Sequence, residues 1–261
     1  KITELPNGDW LLSTNVYHEK TGQVLQQVTR STDGGDSWGM SQVVCSDPSY
    51  QLGEASVLVC PDGKLVMYLR EESGTGRRLQ KMISTDNGNS WDGPYSTLNP
   101  AAQGMPMAGL TQDGLVLITG RFALPSRWRV DDSPETMRQR IERRAIVLPR
   151  VPDNKDFLAR GKWEEDAGSE VLPDEVIVAL GRTSVHTFAF LEPLESALET
   201  DVAAQKGLLL PLDLDNSNTG ADGAYTGWVE YDPGHFLVAG YINDDAPLAQ
   251  IRGYRFSLED F

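Results

Sequence analysis

The chain has 261 residues, 39% of them hydrophobic, enough apolar material for a sizeable core. Its formal net charge of −15 argues against nucleic acid and anionic membrane surfaces as partners. No apolar run reaches the roughly 18 residues of a membrane span, and the two cysteines, Cys45 and Cys60, are too few for a disulfide framework and read as small buried residues.

Lys1 follows neither an initiator Met nor a signal-like start, which is expected of a chain whose leading segment has been removed. The first turn is PNGDWLLSTN, carrying Gly8. Residues 31–38, STDGGDSW, then place Ser31, Asp33, Gly35 and Trp38 at a spacing repeated 53 positions later by Ser84, Asp86, Gly88 and Trp91 in STDNGNSW. Between the two copies, EASVLVC and KLVMYLR flank a PDG turn, and GRRLQKMIS follows; the spacing predicts three strands of ordinary length. The same turn recurs at Gly63, Gly114 and Gly234, with Glu175 in the glycine's place in LPDEVIVALGR, at spacings of 55, 51, 61 and 59.

A period near 50 residues that contains short strands is the signature of a propeller blade. The expected fold is therefore all-β: a single β-propeller domain over residues 1–261, built of four-stranded blades. Five repeats are visible, with room for a sixth before Lys1. The Trp motifs read as structural, their aspartates accepting nearby backbone N–H groups and their indoles packing between strands.

One insertion is expected at about residues 122–144, FALPSRWRVDDSPETMRQRIERR, between the second and third strands of the third blade. Ser133-Pro134-Glu135 has the chemistry of a helix start. Loops at that position open on the face where inner strands begin, so Arg127 and Trp128 are candidate ligand contacts. The segment DLDNSNTG at 213–220 spaces Asp213, Asp215 and Ser217 alternately but lacks a downstream bidentate Glu, and it reads as an Asx-rich turn. No metal or cofactor is expected.

Repeat phase singles out the functional candidates. Seven residues beyond each turn position stand Asn15, Arg70, Arg121, Arg182 and Tyr241; nine residues before stand Glu54, Met105, Asp166 and Tyr225. Equivalent positions of a rotationally repeated fold point at one centre. The phase predicts a cup of three guanidinium groups, an acid and two tyrosines, suited to a planar carboxylate or a sulfate because guanidinium forks match such anions bidentately.

These residues resemble the sialidase superfamily of β-propellers, whose Asp-box (BNR) repeat is S-x-D-x-G-x-x-W. STDGGDSW and STDNGNSW match it at every fixed position. The resemblance implies an exo-acting glycoside hydrolase in which arginines grip a sugar carboxylate, a tyrosine is the nucleophile assisted by Glu, and an Asp is the acid/base. EASVLVCPDGKLVMYLR resembles the blade that opens with the assisting Glu and ends with a binding Arg, which implies Glu54 and Arg70. AYTGWVEYDPGHFLVAGY resembles the final blade, whose opening Tyr is the nucleophile, which implies Tyr225. The acid/base assignment to Asp166, with Asp222 as its rival, and the roles of Arg121 and Arg182 rest on phase alone. No Phe/Tyr-Arg-Ile-Pro motif occurs, and two repeats are counted between Glu54 and Tyr225. The implied partner is a glycan or small acidic sugar, and the implied location is secreted or periplasmic. Two other readings are a non-catalytic glycan-binding propeller, and a uronate lyase in which Tyr225 or a histidine abstracts a C5 proton.

Overall fold

The computed structural model of the chain describes residues 1–73, 77–99, 104–124, 184–213, 223–242 and 250–261. Their strands form four antiparallel sheets, each a meander of sequence-adjacent strands, arranged as propeller blades. Sheet one is β1 (Ile2–Glu4), β2 (Trp10–Tyr17), β3 (Val24–Ser31) and β4 (Gln42–Val43), and sheet two is β5 (Leu52–Val59), β6 (Leu65–Glu71), β7 (Gln80–Ser84) and β8 (Asp92–Ser96). Sheet three is β9 (Met107–Leu110), β10 (Val116–Leu124), β11 (Ser184–Glu192) and β12 (Leu208–Asp213), with a short helix α1 (Leu194–Leu198) between its last two strands. Sheet four is β13 (Gly223–Asp232), β14 (His235–Ile242) and β15 (Gln250–Ser257).

The repeat is real at the level of backbone conformation. Gly8, Gly63, Gly114 and Gly234 all have φ between +70° and +86°, the left-handed region that tight strand connections need. At the first three of these, a Cβ would meet nothing within 4 Å, so conformation rather than space selects glycine. The unit aligned on Glu175 falls outside the described residues. Strands β10 and β11 are paired without interruption from Val116↔Glu192 to Leu124↔Ser184. Strand β10 ends at Leu124 and β11 begins at Ser184, so the insertion expected at about 122–144 lies, beyond Leu124, outside the described residues. One described sheet, not two, stands between Glu54 and Tyr225.

Three apolar layers lie between the four sheets. Leu65, Met67 and Leu69 of β6 pack towards sheet one with Leu11, Val28, Val57 and Met82. The alternate residues Val66 and Tyr68 pack towards sheet three with Val116, Ile118, Phe188 and Phe190. Leu117 and Ala189 turn to the other side and meet Phe236, Val238 and Phe256 of sheet four. Sheets two and three are thus covered on both faces, which is why their strands read as continuous apolar runs. Strands at the ends of the series alternate instead: β14 runs exposed, buried, half-buried, buried.

Register separates two ends of the disc. In sheet two, Leu65 pairs with Ser84 and Val59, while Gln80 pairs with Leu69 and Leu52 with Glu71. The PDG turn and the motif beginning at Ser84 therefore sit at one end, and Glu54, Arg70 and Glu71 at the other.

Candidate active site

Glu54 and Tyr225 are each the third residue of the first strand of their sheet, and both lie at β-bulges. The β5–β6 register shifts between Gly53 and Ser56, and the β13–β14 register shifts between Gly223 and Thr226. A bulge inserts an unpaired residue and re-aims its side chain. Glu54 carries the strain openly, with φ of +47°, uncommon for a residue with a Cβ. The neighbouring Ala55 N–H is held by Gln26 Oε1 from sheet one.

The two re-aimed side chains meet. The Tyr225 hydroxyl donates to Glu54 Oε1 at 2.5 Å, and Arg70 Nη1 donates to Glu54 Oε2 at 2.7 Å and to the Tyr225 hydroxyl at 3.3 Å. The Arg121 guanidinium lies over the Tyr225 ring, 4.9 Å from its centroid, a cation–π contact. Tyr241 meets the same ring edge-on at 5.9 Å. A buried hydrogen bond of 2.8 Å between Thr119 and Thr226 ties β10 to β13 beside these groups. Gly104 makes room for Arg121: a Cβ there would stand 2.3 Å from Arg121 Cγ.

Electrostatics follow from this packing. Burial raises the Tyr225 phenol above its ordinary value, its hydrogen bond to Glu54 and the charge of Glu54 add to the rise, and Arg121 and Arg70 oppose it. The phenol is thus neutral at rest and bonded to a base. For Arg70, burial works against the charge, but Glu54, Glu72 and Tyr225 outweigh it and hold the guanidinium more firmly protonated.

Sequence phase thus names a group the fold brings together: Glu54, Arg70, Arg121, Tyr225 and Tyr241. Asn15 stands at the rim; its Cβ would lie 3.4 Å from a Cβ on Gly53. Asp166, Arg182, Arg127, Trp128 and Asp222 lie outside the described residues. Phase missed Glu72, whose Oε1 lies 3.2 Å from Arg70 Nε. Strand alternation could have found it, since residues two apart share a face. Asp213 is engaged by Arg252 at 2.5 Å and Tyr254 at 2.8 Å; Asp215 and Ser217 lie outside the described residues.

The opposite end has a shallow depression bounded by Pro6, Asn7, Asp62, Lys64 and Asp86. Its carboxylates are already bonded, Asp62 to Lys64 and Asp86 to Ser84 and Ser90. The chemistry converges on the other end.

Comparison with known proteins agrees with this architecture. A protein of unknown function from Dyadobacter fermentans is similar over 98% of this chain and 52% of its own, at 19% identity and a TM-score of 0.63. The intramolecular trans-sialidase of Ruminococcus gnavus, in complex with oseltamivir carboxylate, is 12% identical with a TM-score of 0.51, over 99% of this chain and 43% of its own. The α-L-arabinanase of Penicillium chrysogenum, complexed with arabinobiose, is 13% identical with a TM-score of 0.52, over 97% and 60%. The chain thus spans between 43% and 60% of the length of these structures, and at such identities the likeness concerns the fold. No curated protein matches. The sequence pattern of the BNR repeat-like domain matches residues 1–155, more than half of the chain. The chain belongs to the BNR repeat-like domain family.

Proposed function

We propose that this chain carries the catalytic cup of a glycoside hydrolase acting on a carboxylate-bearing sugar, with Tyr225 as nucleophile and Glu54 as its base. The observation that carries the reading is the 2.5 Å hydrogen bond from the Tyr225 hydroxyl to Glu54, set between Arg70 and Arg121. The similar folds include a trans-sialidase, an arabinanase and a ulvan lyase, which supports the coarser reading of a carbohydrate-active propeller.

The chemistry runs as follows. Tyr225 Oη attacks the anomeric carbon while Glu54 takes the phenol proton. The glycosidic C–O bond breaks, and the departing oxygen takes a proton from an acid, for which Asp166 is the sequence candidate. Water then attacks the anomeric carbon and gives up a proton to the conjugate base of that acid, the C–O bond to Tyr225 breaks, and Glu54 returns its proton to the phenol oxygen. A neutral phenol suits this task, because a carboxylate nucleophile would be repelled by a substrate carboxylate next to the anomeric centre. Arg121 over the ring stabilises the phenolate character that develops in the transition state.

The test is a screen of sialosides, uronides and arabinosides with wild type and Tyr225→Phe. Tyr225→Phe is expected to abolish turnover and to leave sugar binding nearly intact, since only the phenol oxygen is lost. Turnover that survives in Tyr225→Phe removes the nucleophile assignment. An unsaturated, UV-absorbing product from a uronide would instead assign the Tyr225–Glu54 pair to proton abstraction in a lyase.

A further inference from the structure

We propose that Glu72 determines specificity by competing with the substrate carboxylate for the Arg70 guanidinium. The inference rests on the reading that the cup binds a carboxylate-bearing sugar.

The Arg70 fork is unevenly occupied. Its Nη1 is committed to Glu54 and to the Tyr225 hydroxyl. An incoming carboxylate that bonds Arg70 through two parallel contacts must therefore use the Nε edge. Glu72 already stands there, with Oε1 at 3.2 Å from Nε and only 24% of its side chain exposed. Yet the contact is an ion pair and not a hydrogen bond: Nε is buried and has no hydrogen-bond partner among the described residues. A buried donor without an acceptor is costly, so the edge is unsatisfied as it stands. Glu72 supplies charge to Arg70 while leaving the directional bond unmade. That is the arrangement of a stand-in that a better-aligned carboxylate can displace.

Displacement has an electrostatic cost. An ionised Glu72 would face the substrate carboxylate across one guanidinium, with Glu54 on the other side. The groups around Glu72 are Glu54 from β5, Arg70 and Glu71 from β6, and Arg121 from β10. Burial raises the Glu72 carboxyl above the ordinary carboxylate value, with Glu54 and Glu71 reinforcing the rise and Arg70 and Arg121 opposing it. Glu72 therefore takes up a proton earlier than an exposed carboxylate as pH falls, which releases Arg70 to the ligand. Affinity for an anionic sugar rises on acidification, while affinity for a neutral sugar does not.

The experiment is calorimetric titration of the whole chain with D-glucuronate and N-acetylneuraminate, and with glucose as neutral control, at pH 5 and pH 7. Wild type is compared with Glu72→Gln, Glu72→Ala and Arg70→Ala. Removing the competing charge is expected to tighten acidic-sugar binding at pH 7 about tenfold in both Glu72 variants, to leave glucose unchanged, and to abolish the gain on acidification. Glu72→Ala also removes the acceptor that a glutamine could still offer to Nε. If both Glu72 variants bind acidic sugars as wild type does, or more weakly, while Arg70→Ala loses them, the competition is refuted and the carboxylate-binding cup stands. If Arg70→Ala binds acidic sugars unchanged, or no acidic sugar binds any variant, both ideas fall.

Discussion

Gly104 leaves the space that Arg121 fills, and the Arg121 guanidinium lies over the ring of Tyr225. A Cβ at 104 would lie 2.3 Å from Arg121 Cγ and 3.0 Å from both the backbone N and O of Arg121, so neither rotation nor a small shift of the side chain relieves the clash. Gly104→Ala is expected to displace the guanidinium from the Tyr225 ring. A misplacement of about 1 Å in a catalytic array can cost on the order of a hundredfold in rate. We predict a fall in kcat/KM of about tenfold to a hundredfold together with a lowered melting temperature, since Gly104 is buried and the clash involves backbone as well as side chain. Steady-state kinetics beside a thermal melt checks this, and unchanged kinetics would separate Arg121 from the chemistry. Arg121, Arg70 and Tyr241 were legible because rotational repetition converts equal phase into a common direction. The bulges at Glu54 and Tyr225 were not, since a one-residue register shift leaves no pattern in composition or spacing.

At the scale of the element, the two S-x-D-x-G-x-x-W turns are stabilised almost entirely from within. Ser31 Oγ donates to Asp33 and accepts from the Gly35 N–H, while the Ser37 N–H and hydroxyl both donate to Asp33 at 2.9 and 2.5 Å. Ser84, Gly88 and Ser90 repeat the pattern around Asp86. Because these bonds around the aspartates close within eight residues, the element could be read from sequence with its roles intact, although Arg30 and Gln42 also donate to the Asn87 and Asn89 carbonyls of the second turn. The Ser37 hydroxyl above all, then its N–H and the Ser31 hydroxyl, lowers Asp33 to about 2; the Ser90 hydroxyl, its N–H and the Ser84 hydroxyl do the same for Asp86. The ordinary value is 3.8, so between these two points the unfolded chain binds more protons than the folded one. The stability from each turn is present above pH 3.8 and is lost as pH falls towards 2. Asp86→Asn is expected to flatten the acid limb of a urea-unfolding series over that window, and a limb as steep as wild type would show that these carboxylates do not govern it.

On the scale of the molecule, sheets two and three are joined by charge as well as by apolar contact, and this was hidden in the sequence. Lys81, in the run GRRLQKMIS, has the look of a solvated cation, yet it is 0% exposed and its Nζ donates to the Ser196 carbonyl of α1 at 2.9 Å. Next to it, Glu192 at the end of β11 accepts from the Tyr68 hydroxyl of β6 at 2.7 Å and from Ser196 Oγ at 3.0 Å. Short-range patterning cannot show such a network, in which Tyr68 and Lys81 meet partners more than a hundred positions away. Burial lowers Lys81 to about 8 from its ordinary 10.5, with Glu192 and Glu199 opposing the shift. It raises Glu192, against the pull of Lys81, Tyr68 and Ser196. The signs differ. Glu192 binds its proton more tightly when folded, so its contribution declines as pH rises from 4.5 towards its raised value. Lys81 binds its proton less tightly when folded, so the folded state gains on the unfolded one as pH rises from about 8 to 10.5. At about 1.4 kcal/mol per unit, that gain is on the order of 3 kcal/mol. Lys81→Met keeps the apolar stem, removes the titration, and leaves Glu192 without its nearby cation. We predict that the difference in stability between wild type and Lys81→Met, measured by urea unfolding, moves in favour of wild type between pH 8 and pH 10.5, and that Lys81→Met is the less stable of the two at pH 10.5. A difference that stays constant between pH 8 and pH 10.5 would show that Lys81 does not titrate there and would reduce the Lys81–Ser196 contact to simple packing.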